Sequence, residues 1–374
     1  MRVLLFCGTD MARATGSAIR GRLIAEGLQL NGASVCVVAP GVPGAFEALS
    51  IQSVLLSDGT TLGTTLVEAV TTFHPDIVYG ITEAWADVVV DVASSNRCAA
   101  AFDMHGIGVV EILELGRGYG PRLPRLKNSA KWLRAMRKAD VITVANPTLA
   151  PIARFLYRHV VPIIGLADTT TFSPDGLVVR IGSDAASLQL LYAGNHYKWQ
   201  GMELLLAAFR RLVRDDAPVE LTILGSAGEA LSEGACLRTG IPEGRVHFVP
   251  AVNYGDVPAY YRGADVLLIP RPRMMSTHLA FPQKVVDYMA SGRAIVATDL
   301  APHRWALQDS EAGILCRPTP RGLAAGIRRS YDSSLREQCG KQARARAVAL
   351  FDHVRQSQRI LAEFEKLFER KGTR

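Results

Sequence analysis

The chain has 374 residues, more than one ordinary core organises, so two domains are expected. Its 48% hydrophobic and 21% charged content is that of a soluble globular protein, and no run of 18 apolar residues is present to span a membrane. Lys and Arg number 42 against 35 Asp and Glu; the excess of +7 suits an anionic partner (a phosphorylated ligand, an anionic membrane or nucleic acid) or simply a basic surface.

The first apolar run, RVLLFC (2–7), reads as a buried strand, too short for a signal peptide and followed by no small-residue cleavage site. SAIRGRLIAEGLQLNG (17–32) follows with Ile19, Leu23, Ile24, Leu28 and Leu30 near helical spacing and Gly32 as its stop. ASVCVVAP is a strand, LVEAVTTF a helix, and DIVYGI and DVITVA are further strands. The segment DTTTFSPDGLVVRIGSD (168–184) then breaks the pattern with a linker composition. A second series runs through strand LQLLYAG, helix GMELLLAAFRRLVRD, strands VELTILG and VHFVP, helix DVPAYYRGA, strand DVLLIP, helix KVVDYMASG and strand AIVATD. Strands separated by helices imply βαβ units, so the class is α/β with two Rossmann-like parallel-sheet domains. The expected bounds are 1–170 and 182–352, with ligands at the carboxyl ends of the strands.

Six cysteines (Cys7, Cys36, Cys98, Cys236, Cys316 and Cys339) include no C-x-x-C pair. Several lie in apolar runs, which reads as reduced core thiols of a cytoplasmic protein. No Asp-x-Asp and no His/Cys cluster with metal spacing occurs, so no metal is expected.

Four stretches carry a family resemblance: DTTTFSPDG, LLYAGNHYKWQGMELLLAAFRRL, PAYYRGADVLLIPRP and FPQKVVDYMASGRAIVATD. With the Gly-containing loop CGTDMARATGS they resemble, in order and over nearly the whole chain, the retaining glycosyltransferases of the GT-B fold in the bacterial family 4 group. The resemblance implies two Rossmann-like domains facing each other across a cleft. The first would bind the acceptor and the second the nucleotide sugar. A C-terminal helix, about 353–374, would pack back on the first domain. The family's sugar-contacting Glu falls on Leu279, and its phosphate-loop Arg and Lys fall on Asn195 and Gln200.

The residues themselves support specific roles. FPQKVVDYMASG starts a helix whose first N–H groups suit a phosphate. Backbone at Phe281, Pro282 and Gln283 would hold the donor, with Lys284 adding charge and Asp287, the match to the family's ribose reader, one turn along the same face. Ser291-Gly292 stops the helix. In GNHYKWQG, Gly194 lets backbone approach a phosphate, and Asn195, Lys198 and Gln200 line that loop. The alternative for each is an ordinary turn and a solvated Lys–Asp pair. His105, in FDMHGIG after the fourth N-terminal strand, matches the family's active-site His, with Asp103 as a turn former. Gly16 opens the first helix near donor or acceptor phosphate, with Ser17 as its N-cap.

The most basic stretch, residues 115–140, carries Arg117, Arg122, Arg125, Lys127, Lys131, Arg134, Arg137 and Lys138. It reads either as a contact to an anionic membrane or phosphate-bearing acceptor or as a solvated helix with one core-facing stripe. Aromatic residues there are too few for a nucleic-acid platform. The expected function is retaining, hexosyl-type transfer from a nucleotide sugar (UDP- or GDP-linked) to a glycan, lipid-linked or small hydroxyl acceptor. It would need no cofactor and would run in the cytoplasm or peripherally on the inner face of the membrane. A degenerate, non-catalytic donor-binding protein, a nucleotide-sugar epimerase and a nicotinamide-dependent oxidoreductase are the alternatives; the last lacks a glycine fingerprint.

Overall fold

Apolar runs that do not alternate become the strands of two all-parallel sheets, as burial on both sheet faces requires. A computed structural model describes residues 1–56, 61–115, 122–182, 184, 186–225 and 240–372; the side chains of residues 115, 122 and 370–372 are not among those described. The chain divides into two units: Met1–Leu166, Leu279–Gln283 and Asp352–Arg374 form unit 1, and Ala167–His278 and Lys284–Phe351 form unit 2. Leu279–Gln283, read from sequence as part of the second domain, thus groups with unit 1.

Unit 1 is built on seven strands: β1 (Arg2–Cys7), β2 (Ser34–Ala39), β3 (Gln52–Leu55), β4 (Ile77–Ile81), β5 (Ala99–Met104), β6 (Val141–Val144) and β7 (Val160–Pro162). Their spatial order is β3-β2-β1-β4-β5-β6-β7, so the order reverses between β1 and β4. His105 follows the fifth strand and not the fourth, because the sequence reading passed over the half-polar edge strand β3. The helix Gly16–Leu30 buries Ile19, Leu23, Ile24 and Leu28, all expected core positions, whereas Leu30 is 55% exposed. The last helix, His353–Gly372, lies against it: the Asn31 side-chain amide donates to the Val354 carbonyl at 2.8 Å.

Unit 2 contains β8 (Leu188–Ala193), β9 (Val219–Leu224), β10 (Val246–Val249), β11 (Val266–Ile269), β12 (Ala294–Thr298) and β13 (Ile314–Cys316), ordered β10-β9-β8-β11-β12-β13. Here the reversal falls between β8 and β11. The helix Met202–Arg214 presents Met202, Leu205, Ala208, Phe209, Leu212 and Val213 to the core at helical spacing. Gly201 precedes it with φ +82°, and a Cβ there would land on the Pro270 carbonyl, so only glycine lets this helix start against the end of β11.

Cys7, Cys36, Cys316 and Cys339 are buried free thiols and Cys98 is partly buried; Cys236 lies outside the described residues. Among the described residues no group of three or more His, Cys, Asp or Glu is placed to hold a metal ion, and no helix is long and apolar enough to cross a membrane.

Candidate functional site

In an open parallel sheet the ligand crevice forms where strand order reverses, because the loops after the two flanking strands diverge there. In unit 2 those strands are β8 and β11. Gly194 follows β8 with φ +131°, and a Cβ on it would stand 2.7 Å from the Lys284 Nζ. Arg271, one residue past Pro270 after β11, is 5% exposed. Lys284 is the second residue of the helix Gln283–Ala290. Its stem is half-buried, but its Nζ is buried without a hydrogen-bond partner and sits 4.2 Å from the centroid of the Tyr192 ring.

The surroundings make this ammonium costly. Burial pushes the Lys284 pKa well below its ordinary value of 10.5, and the Arg271 guanidinium pushes it the same way. His196 is lowered by burial and then by Lys284, and neither of its ring nitrogens has a hydrogen-bond partner. His303, fully buried, is pushed down to about 3, first by burial, with Arg271, His278 and Lys284 adding to it. Its Nδ1 donates to the Thr298 carbonyl at 2.7 Å, while Nε2 lacks a partner. Basic groups crowded together with unpartnered buried nitrogens form a site whose electrostatics favour an anion. Lys284 was legible from the sequence; Arg271, His196 and His303 were passed over. The usable signal was position: Arg271 comes just after an apolar strand beside the reversal of strand order.

The other expected donor residues divide. Asn195 accepts a hydrogen bond from the Tyr192 hydroxyl at its backbone carbonyl, 2.6 Å away. Lys198 is exposed on the 3-10 turn Lys198–Gln200, whereas the Gln200 Oε1 is buried without a partner. Asp287 is only 2% exposed, and its charge helps raise the pKa values of the buried phenols Tyr261 and Tyr288, which burial raises most. The Tyr288 hydroxyl oxygen accepts the Ala193 N–H at 2.9 Å and so ties the helix to the end of β8. Gly292, at φ +67°, ends the helix as expected. Phe281, Pro282 and Gln283 cluster with unit 1, where the Gln283 side-chain amide donates to the Leu166 carbonyl.

Unit 1 holds a second constellation. Asp103 is not a turn former. It is the penultimate residue of β5, fully buried, and accepts four hydrogen bonds. Arg20 grips it through Nε at 2.6 Å and Nη2 at 2.9 Å, Thr143 Oγ1 donates at 2.6 Å, and His105 Nε2 donates at 2.5 Å. Burial alone would raise the Asp103 pKa; the charges of Arg20 and His105 outweigh it and hold the carboxyl well below the usual range. With Nε2 committed to a carboxylate, the other ring nitrogen of His105, Nδ1, lies 3.4 Å from the Ser17 hydroxyl. Ser17 lies inside the helix and does not cap it; Thr15 is the N-cap, with no side-chain bond. Gly16 opens the helix, and a Cβ there would meet no atom within 4 Å.

The basic helix Arg122–Ala135 carries Arg125, Lys127, Lys131 and Arg134; Arg117 and the side chain of Arg122 lie outside the described residues. Lys131 pairs with Asp87 at 2.5 Å, and Trp132 packs on Trp85 with ring centroids 5.9 Å apart. The helix thus has a core-facing side and one charge already satisfied.

The two parallel-sheet units have the GT-B fold. Residues 187–333 match the family described as glycosyl transferases group 1. It is similar to a phosphatidyl-myo-inositol mannosyltransferase of Mycolicibacterium smegmatis, 33% identical over 155 residues, which is 38% of this chain. That match spans 37% of the relative's length. Among solved structures it is similar to a sucrose-phosphate synthase from Thermosynechococcus elongatus, with TM-score 0.77, 19% identity, and coverage of 99% of this chain and 100% of the other. It is also similar to Alr3699/HepE of Anabaena in complex with UDP-glucose, with TM-score 0.75, 17% identity, and coverage of 97% and 99%. At these identities the structural likeness is one of fold.

Proposed function

We propose that the chain transfers a hexosyl group from a nucleotide sugar to a hydroxyl acceptor, with retention at the anomeric carbon, in the making of a glycan or glycolipid. The observation that carries this reading is the buried, unpartnered Lys284 Nζ beside Gly194 and Arg271. The donor diphosphate would fill that site, held by Lys284, Arg271 and His196 together with the first N–H groups of the helix Gln283–Ala290. Gln200 and the exposed Lys198 would reach its outer edge, and Asp287 would take the ribose hydroxyls. No metal is required in this reading, since the cations and the helix end offset the leaving charge.

The family match supports transfer over an epimerase or an oxidoreductase. A relative named for mannosyl transfer to phosphatidyl-myo-inositol and a neighbour that holds UDP-glucose support a hexosyl donor and a hydroxyl acceptor. In the step itself the anomeric C–O bond to the diphosphate breaks and the acceptor oxygen bonds the same face. The acceptor proton passes to the leaving phosphate oxygen, so no protein nucleophile is needed. His105, oriented by Asp103, would hydrogen-bond a sugar hydroxyl.

Calorimetry of nucleoside diphosphate against monophosphate tests the site. The diphosphate is expected to bind at least tenfold more tightly, since a second phosphate adds charge-assisted bonds worth roughly 1.5–3 kcal/mol each. An anion raises a lysine pKa that burial has lowered, so binding should take up protons at pH values between the depressed value and the ordinary 10.5. Affinity should therefore fall as pH rises through that window. Equal affinity for the two nucleotides, with no proton uptake, would count against this assignment.

A further inference from the structure

Phe155 is 88% exposed, an unusual state for a phenylalanine on an ordered helix. It lies near the end of the short helix Ala150–Leu156 in unit 1, with Ile152, 37% exposed, three residues before it. Arg154 precedes it and Arg158 follows three residues on, both exposed. Arg158 and Leu156 line one open cavity of about 620 Å³ together with Arg137, Lys138, Ala139 and Asp140. Asp140, the cavity's one carboxylate, accepts the Ala100 N–H at 3.0 Å. Among the described residues none of Arg137, Lys138, Arg154 and Arg158 is paired with a carboxylate, in contrast to Lys131.

We propose that this face of unit 1 docks on an anionic phospholipid surface, with Phe155 inserted at the headgroup boundary and Arg137, Lys138, Arg154 and Arg158 around it on lipid phosphates. Charge complementarity selects the occupant. Four unpaired cations need several anions spread over a surface, and a protruding aromatic ring gains only where an apolar layer lies below them. A free phosphate ion satisfies the cations but leaves the ring in water. The basic stretch read from sequence supplies only Arg137 and Lys138 to this face; the aromatic anchor and Arg154 come from the helix after β6, and Arg158 from the bend that follows it. The proposal is independent of nucleotide binding in unit 2.

Co-sedimentation of the full chain with phosphatidylglycerol-containing and pure phosphatidylcholine vesicles across a salt series tests it. Binding is expected to the anionic vesicles only, and to weaken steeply with salt. The Arg137→Gln/Arg158→Gln pair should lower the partition coefficient about 30-fold at low salt, taking two basic contacts near the surface. Phe155→Ser should lower it about tenfold at every salt concentration, because the ring's contribution is not screened. Both changes fall on exposed side chains, so a circular-dichroism spectrum like the wild type's is expected of each. Equal sedimentation with both kinds of vesicle at low salt would overturn the proposal. So would a Phe155→Ser variant that binds anionic vesicles as the wild type does, which would leave only a site for soluble anions.

Discussion

Replacing Lys284 by methionine should make the protein more stable while removing most of its affinity for a nucleoside diphosphate. The two effects share one cause. The ammonium is buried without a hydrogen-bond partner and close to Arg271. Methionine keeps the apolar stem and its packing on Tyr192 and drops the charge. Replacing buried charge by an apolar side chain of similar volume stabilises by about 1–4 kcal/mol in favourable cases. For a unit of this size each kcal/mol raises Tm by roughly 2–4 °C. The gain should be largest at low pH. Between the depressed pKa and 10.5 the unfolded chain holds a proton that the native chain does not, so the wild type recovers stability as pH rises and the variant does not. Binding should fall by tenfold to a hundredfold, the worth of a charged contact to phosphate. Thermal melts and calorimetry on the same preparation read both effects. A variant that is less stable yet binds as before would show that Lys284 serves packing and not a ligand.

The Arg20–Asp103 pair should show the opposite balance. Asp103→Leu leaves Arg20, 4% exposed, as an uncompensated buried charge. Breaking a buried pair from one side costs about 3–5 kcal/mol. Arg20→Met with Asp103→Leu removes both charges and should recover most of that loss. The native contribution is fully present above the ordinary carboxyl value of 3.8 and fades only as acid reaches the lowered pKa of Asp103. The double variant separates structure from chemistry, since it leaves His105 without its carboxylate. It should melt nearly as the wild type does but turn over like His105→Ala, with kcat down about 100-fold and nucleotide affinity unchanged. Wild-type turnover in a folded His105→Ala protein would return that residue to a structural role.

The parallel sheets were legible because β11 is wholly apolar and β8, β9 and β12 are mostly so, without strict alternation, as strands buried on both faces are. The edge strands β3 and β7 were not. Each is three or four residues long, and β3 is mostly exposed, so neither length nor pattern marks it. Lys284 was legible because it opens a helix within a family-like motif. Asp103 was misread because its meaning depends on Arg20, 83 residues away, and adjacency of that kind appears only when β5 and the first helix are folded. His303 has the same difficulty: one basic residue in a helix after β12 says nothing until the fold buries it under the influence of Arg271. Local chemistry was readable, and pairings made by topology were not.

The central claim is that this chain moves a sugar out of a nucleotide sugar. Incubation with a panel of UDP- and GDP-hexoses, with and without a glycan or lipid hydroxyl acceptor, followed by nuclear magnetic resonance of the products, tests it most directly. The account predicts that one donor releases its nucleoside diphosphate, in an acceptor-dependent manner, with the anomeric configuration of the donor kept in the product and no loss of rate in chelator. A donor returned as its epimer, or a product of inverted configuration, would contradict it.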